Sequence, residues 1–79
     1  MSDLPREISG ATAWDRAVNL AGFLAERGVQ RVVLESGGQR REVGGRVTDL
    51  PREIVGMGEG VVEGAGVRYS VSEGAIVRE

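Results

Sequence analysis

Cysteine, histidine and lysine are all missing from this 79-residue chain, and each absence removes a class of chemistry. Without cysteine there are no disulfides and no thiolate ligands. Without histidine there is no imidazole ligand, no Cys–His pair and no histidine general base. Without lysine no P-loop can reach a phosphate in the usual way. Aromatic residues are nearly as scarce. One Trp, one Tyr and one Phe cannot assemble a platform for stacking single-stranded bases. No apolar run approaches the roughly 18 residues of a membrane-spanning helix, and no signal-peptide pattern opens the chain, so cytoplasmic residence is the expectation.

The length itself sets the next bound. Residues 1–79 allow a single small domain with one modest core. Domains of this size often lean on disulfides, metals or association. With disulfides and thiolate or imidazole metal sites excluded, association is the support left, and a homo-oligomer is expected.

What is present is arginine, glycine and carboxylate. All ten basic residues are arginine, against twelve acidic ones, for a formal charge of −2. The charge is uneven along the chain. Residues 31–52 hold five arginines (Arg31, Arg40, Arg41, Arg46, Arg52) against Glu35, Glu42 and Asp49, a local net of +2. Residues 53–79 hold five glutamates against Arg68 and Arg78, a net of −3. The planar guanidinium fork suits phosphate or carboxylate, so the middle segment is where an anionic partner would dock; the alternative is a mixed-charge solvated surface.

The apolar pattern predicts one clear helix, over 12–27. Thr12 and Asp15 have capping-box spacing, with Asp in place of the usual Glu or Gln. Trp14, Ala17, Val18, Ala21, Leu24 and Ala25 recur at three- and four-residue steps, Leu20 and Phe23 widen the stripe, and Gly28 stands where a left-handed C-terminal cap belongs. The period then changes. Val29–Glu35 is rich in β-branched residues, Ser36-Gly37-Gly38-Gln39 is turn chemistry, and Arg40–Val43 returns as a second strand. Arg46–Thr48 is a further short extended piece, Val67–Val71 alternates, and Ala75–Arg78 pairs back after Ser72-Glu73-Gly74. Five glycines in residues 55–66 argue for loop or bent strand, since each glycine inside a helix costs about 0.8–1 kcal/mol relative to alanine. The fold class expected is α+β: one N-terminal amphipathic helix packed on a small, mainly antiparallel sheet of four to five short strands.

One hexapeptide occurs twice. Asp3-Leu-Pro-Arg-Glu-Ile8 returns as Asp49-Leu-Pro-Arg-Glu-Ile54, each followed one residue later by glycine. It reads equally as an internal duplication or as two similar turns, each with proline just inside a short helical turn.

Searching for chemistry yields little. Gly56, Gly58 and Gly60 invite a dinucleotide-loop reading, but Val61 stands where G-x-G-x-x-G needs its third glycine. Glu59 and Glu63 flank glycines without the calcium-loop spacing. Asp15 belongs to the helix start, Glu26 to its solvated face, and Tyr69, Trp14 and Phe23 to core packing. No catalytic residue, cofactor-binding motif or metal-ligand set is assigned, and no enzymatic activity is expected.

Gly45-Arg46-Val47-Thr48, Leu50-Pro51-Arg52-Glu53-Ile54, Gly66–Val71 and Gly74–Arg78 together resemble the AbrB/MazE swapped-hairpin family. The stretch spans residues 45–78, and the chain departs from the pattern in the extra Asp49 and in glycines where the family has a helix. The resemblance implies an interleaved homodimer with arginines contacting DNA. Arg46 and Arg52 fall on motif positions, and Arg40 and Arg41 lie just upstream. Three functional classes follow: a non-catalytic protein-interaction or assembly module, a DNA-binding regulator or antitoxin-like dimer, and an enzyme working through carboxylates alone. A local excess of two positive charges is small for a duplex binder, which places the interaction module first. The contact candidates for either of the first two are Arg40, Arg41, Arg46 and Arg52.

Overall fold

A computed structural model describes residues 5–44 and 49–79. Its first helix, α1 (Ala13–Glu26), starts and stops where local chemistry dictates. The Thr12 hydroxyl oxygen accepts from the Asp15 backbone N–H at 3.1 Å, and Asp15 adds negative charge to the first turn, where the helix dipole favours it. At the other end Gly28 turns left-handed (φ 75°). Its N–H donates to the Ala25 carbonyl, and the Val29 N–H reaches back to Leu24. That pair of bonds is a Schellman cap. Ala17, Leu20, Ala21 and Leu24 form the buried stripe. Trp14, expected in that stripe, instead stands 47% exposed on the first turn, and Phe23 is partly buried at its margin.

Six strands make one sheet: β1 (Glu7–Ile8), β2 (Arg31–Ser36), β3 (Gln39–Gly44), β4 (Gly60–Gly64), β5 (Val67–Val71) and β6 (Ile76–Arg78). Their spatial order is β1-β6-β5-β4-β2-β3, and every pairing is antiparallel. Two features exceed the expectation of one helix and four to five strands. The first is a second helix, α2 (Leu50–Met57), where at most a short helical turn at the proline is expected, with loop or bent strand from residue 55 on. Only Gly56 of the five glycines in 55–66 lies inside it; Gly58 (φ 77°) is its left-handed C-cap. Pro51 sits in the first turn, where its missing N–H costs nothing. Leu50 and Ile54 are almost completely buried, and each such burial contributes about 1.5–3 kcal/mol, more than one glycine removes. The second is the two-residue β1; β4 takes the strand alternative of the loop or bent strand expected over 55–66. The expected strand at Arg46–Thr48 lies outside the described residues.

The register sorts side chains into two faces, because residues directly opposite in an antiparallel pair share a side. Toward the helices run the rows Ile8–Ile76–Val71 and Tyr69–Val62–Leu34, with Val32 beyond them; all are buried. Both helices cover this face, and Leu20, Leu24, Leu50 and Ile54 complete the core. The other face carries polar and charged residues with Val33, Val61 and Val77 between them, partly exposed.

The two copies of the hexapeptide adopt different structures. Pro51-Arg-Glu-Ile54 is helical, whereas Pro5-Arg6 leads into β1. In the first copy the Pro5 carbonyl accepts from the Tyr69 hydroxyl at 2.6 Å, and the Arg6 carbonyl from the Arg78 N–H at 2.7 Å. Those carbonyls are held by the sheet and are not available to a helix.

Two positions test this architecture. A Cβ at Gly60 would fall on the Glu35 carbonyl oxygen and crowd the Met57 sulfur. Gly60→Ala is therefore expected to destabilise the fold by about 2 kcal/mol or more in urea unfolding. Ala65, in the β4–β5 turn, is the one described non-glycine with positive φ (53°). Ala65→Gly is expected to raise stability by about 1 kcal/mol in the same assay, since glycine carries no Cβ penalty there.

Candidate interaction surface

Strands β2 and β3 are joined by Gly37 and Gly38, both with positive φ (59° and 81°), the requirement of a two-residue type I′ hairpin. Alternation along β3 decides where two candidate arginines go. Arg40 lies opposite Glu35 on the open face, and Arg41 lies opposite Leu34 on the helix side. The two are therefore not brought together. Arg52 is exposed on α2 with no ion pair among the described residues. Arg46 lies outside the described residues.

On the open face, charges form a lattice. Arg40 contacts Glu35 at 3.2 Å and Glu63 at 3.4 Å. Arg68 reaches Glu35 at 2.9 Å, Glu79 at 3.2 Å and Glu63 at 3.6 Å. Arg31 pairs with Glu42 at 2.7 Å. Hydrogen bonds to Glu35 and then Glu79 hold the Arg68 guanidinium above its ordinary pKa, so it stays charged. Counting by register, three arginines (Arg31, Arg40, Arg68) share this face with five glutamates (Glu7, Glu35, Glu42, Glu63, Glu79). The local field is negative. Sequence reasoning singled out Arg40 but missed Arg68, the centre of the lattice. Its only signal was strand alternation in Val67–Val71, which puts Arg68 opposite the Tyr69 side.

On the helix side, Arg41 is tied to Glu53 of α2 at 2.6 Å, above a shallow groove lined by Leu34, Gln39, Gly56 and Met57. A second groove of about 520 Å³ lies among Ala13, Arg16, Ile54, Val55 and the β5–β6 turn. Arg16 is part of its wall and is already engaged, donating to the carbonyls of Gly10 (3.1 Å) and Glu73 (2.8 Å). Its Nε is buried with no partner among the described residues.

Tyr69 is the one phenol, and its surroundings define its role. The ring is fully buried, and the hydroxyl is spent on the Pro5 carbonyl. Burial pushes its pKa up, while nearby Arg78 and then Arg27 pull it back in part. Among the described residues no group of three or more carboxylates is placed to hold a metal ion, and no helix is long and apolar enough to cross a membrane.

Among the described residues the longest uncovered backbone edge is that of β3. β3 ends the sheet, and all but one of its six residues are exposed. At the other end β1 is only two residues long, and the carbonyls that follow it are taken: Ser9 by the Asn19 amide at 2.7 Å and Gly10 by Arg16. No protein family, no characterised protein and no solved structure matches the chain.

The Tyr69 geometry gives a pH-dependent prediction. Its folded pKa lies above the unfolded value, so the stability it contributes is complete below the unfolded pKa and is lost as pH rises through the folded one. Urea midpoints measured from neutral to strongly alkaline pH should fall in the wild type and fall less in Tyr69→Phe. At neutral pH that variant should lose about 1–2 kcal/mol through the orphaned Pro5 carbonyl.

Proposed function

We propose that this chain is a small non-catalytic interaction or assembly module that works by adding a strand to its β3 edge. The observation that carries the reading is the six-residue edge itself, uncovered among the described residues on a sheet whose other edge strand, β1, is only two residues long. An exposed edge offers a ladder of backbone donors and acceptors, and alternate side chains beside it supply selectivity. The arrangement of ionisable groups supports the same reading. Carboxylates and guanidinia neutralise one another in the lattice instead of converging on a cavity, and the phenol is committed to the core.

The turn geometry says which groups are free. In a two-residue hairpin the closing pair, here Ser36 and Gln39, exchanges both backbone bonds, and the pattern then alternates. Gln39, Arg41 and Val43 therefore bond to β2, and the N–H and C=O of Arg40, Glu42 and Gly44 point outward.

A DNA-binding dimer is the alternative, resting on exposed Arg52, on Arg46 and on the family resemblance. Pairing of Arg40 and Arg41 with Glu35, Glu63 and Glu53 leaves less positive charge for phosphates and favours the interaction module.

Amide hydrogen exchange tests the choice. In dilute protein the Arg40, Glu42 and Gly44 amides should exchange much faster than those of Arg41 and Val43, and a stoichiometric protein complex should slow all three. Complexes that leave these amides fast would overturn the edge reading. Duplex binding with a steep salt dependence, weakened by Arg52→Ala, would replace it with the DNA-binding one.

A further inference from the structure

We infer that the strand added to β3 is β3 of a second copy, paired antiparallel about a two-fold axis through Arg41. This rests on the edge reading above and names its occupant. Backbone geometry limits the choices first. An antiparallel ladder needs outward-facing residues opposite outward-facing residues, which here means Arg40, Glu42 and Gly44 opposite one another. Registers that would set Arg40 against Arg41 or Val43 of the other copy are excluded, because those residues already spend their backbone groups on β2.

Charge then selects among the registers that remain. Centring the axis on Arg40 sets Arg40 against its own counterpart, and centring it on Glu42 does the same for Glu42. Directly opposed like charges are destabilising. Centring on Arg41 instead places Arg40 opposite Glu42 twice, once on each side of the axis. Each of these two pairs exchanges an N–H···O=C bond in both directions, so the backbone bonds and the opposite charges come in the same register. Shifting the axis outward to Gln39 or Val43 runs the pairing into the Gly37–Gly38 turn or past the end of β3.

The side chains are placed to accept this. The Glu42 Oε1 takes Arg31 at 2.7 Å, and its other oxygen has no partner among the described residues. Arg40 and Glu42 keep 63% and 54% of their side-chain surface exposed, so both can turn toward a neighbour. This register too carries one like-charge contact, Arg41 against Arg41 on the axis, each beside its own Glu53 at 2.6 Å. It alone adds two opposite-charge pairs, whereas the Arg40- and Glu42-centred registers carry one like-charge contact and no opposite-charge pair. All four helices would lie on one side of a continuous twelve-stranded sheet, and both ion-pair lattices on the other.

One strand edge with its flanking side chains falls at the small end of protein interfaces, below the roughly 1,200–2,000 Å² of stable complexes. Association should therefore depend on concentration. The test is sedimentation velocity of the wild type, Arg40→Glu, Glu42→Arg and the double charge swap, across a roughly hundredfold range of protein concentration. Circular dichroism melts confirm that each variant is folded. The wild type should dimerise, and each single reversal, which creates two like-charge pairs, should weaken the dimer by about tenfold or more. The double swap restores opposite charges in the same register and should recover dimerisation to within about threefold of wild type. Glu42→Pro, which deletes an outward N–H and leaves the β2 ladder intact, should also abolish the dimer.

A wild type that stays monomeric throughout, or a dimer indifferent to both reversals and to Glu42→Pro, overturns the self-pairing. If in the monomeric case a different protein still protects the Arg40, Glu42 and Gly44 amides, the edge reading stands and only its occupant is wrong. If those amides are protected in no complex, both fall.

Discussion

The fold depends on a seam three residue pairs long. The sheet consists of a β2–β3 hairpin and a β4–β5–β6 meander edged by β1, and the pairs Val33–Glu63, Leu34–Val62 and Glu35–Val61 are the ladder that joins the two parts. Leu34 and Val62 bring the two halves of the core row together from opposite sides of that seam. The chain must return to it directly from α2, and Gly60 makes the return possible by letting the backbone press against the Glu35 carbonyl. Ser36 adds a clasp, its hydroxyl donating to the Glu59 carbonyl at 2.8 Å.

The charge lattice acquires a structural role from this position. Arg40 on β3 reaches Glu63 on β4, and Arg68 on β5 reaches Glu35 on β2, so both arginines cross the seam in opposite directions. Exposed ion pairs each contribute little, about 0–1 kcal/mol, but a shared network on a rigid sheet loses less side-chain entropy than isolated pairs. A seam with only three backbone pairs is where such a network matters. Arg68 is consequently engaged in holding the molecule together, and Arg40 in part, so the number of arginines along the sequence is a poor guide to how much positive charge is left for an anionic partner.

This explains how much of the molecule was legible in the sequence. The bounds and caps of helix α1 were readable, because Thr12, Gly28 and the Ala17–Leu24 stripe are local signals, although Trp14 and Ala25, expected in that stripe, are exposed. The β2–β3 hairpin was equally readable from Gly37-Gly38. Helix α2 was not, since its stability comes from burying Leu50 and Ile54 against elements distant in sequence, while glycine content was the visible local cue. The repeated hexapeptide makes the same point within one chain. Identical residues form helix at Pro51–Ile54 and turn-plus-strand at Pro5–Ile8, and what differs is the Tyr69 hydroxyl and the Arg78 N–H waiting for the first copy's carbonyls. Site residues were harder still. Composition could place arginines in the middle segment, but only strand alternation separates Arg40 from Arg41, and only the sheet order brings Arg68 beside Glu35.

The two edges of the sheet have been treated in opposite ways by the same sequence. At β1, Asn19 and Arg16 of α1 take the Ser9 and Gly10 carbonyls, and the strand runs no further than Ile8. At β3 no described strand takes that part: α2 meets it from the helix side, through the Arg41–Glu53 pair and the groove beside Gln39, and not across its outer backbone. Edge strands of soluble proteins are commonly blunted by charge, and Arg40 and Glu42 fit that role against random partners. Because the two charges are opposite and two residues apart, they do not repel every strand. Under the pairing proposed above, they would disfavour registers that match like with like and favour one that does not, so the same pair of side chains would act both as a guard and as a selector. Under the same proposal, the β3 backbone edge, uncovered among the described residues, is where recognition would become specific.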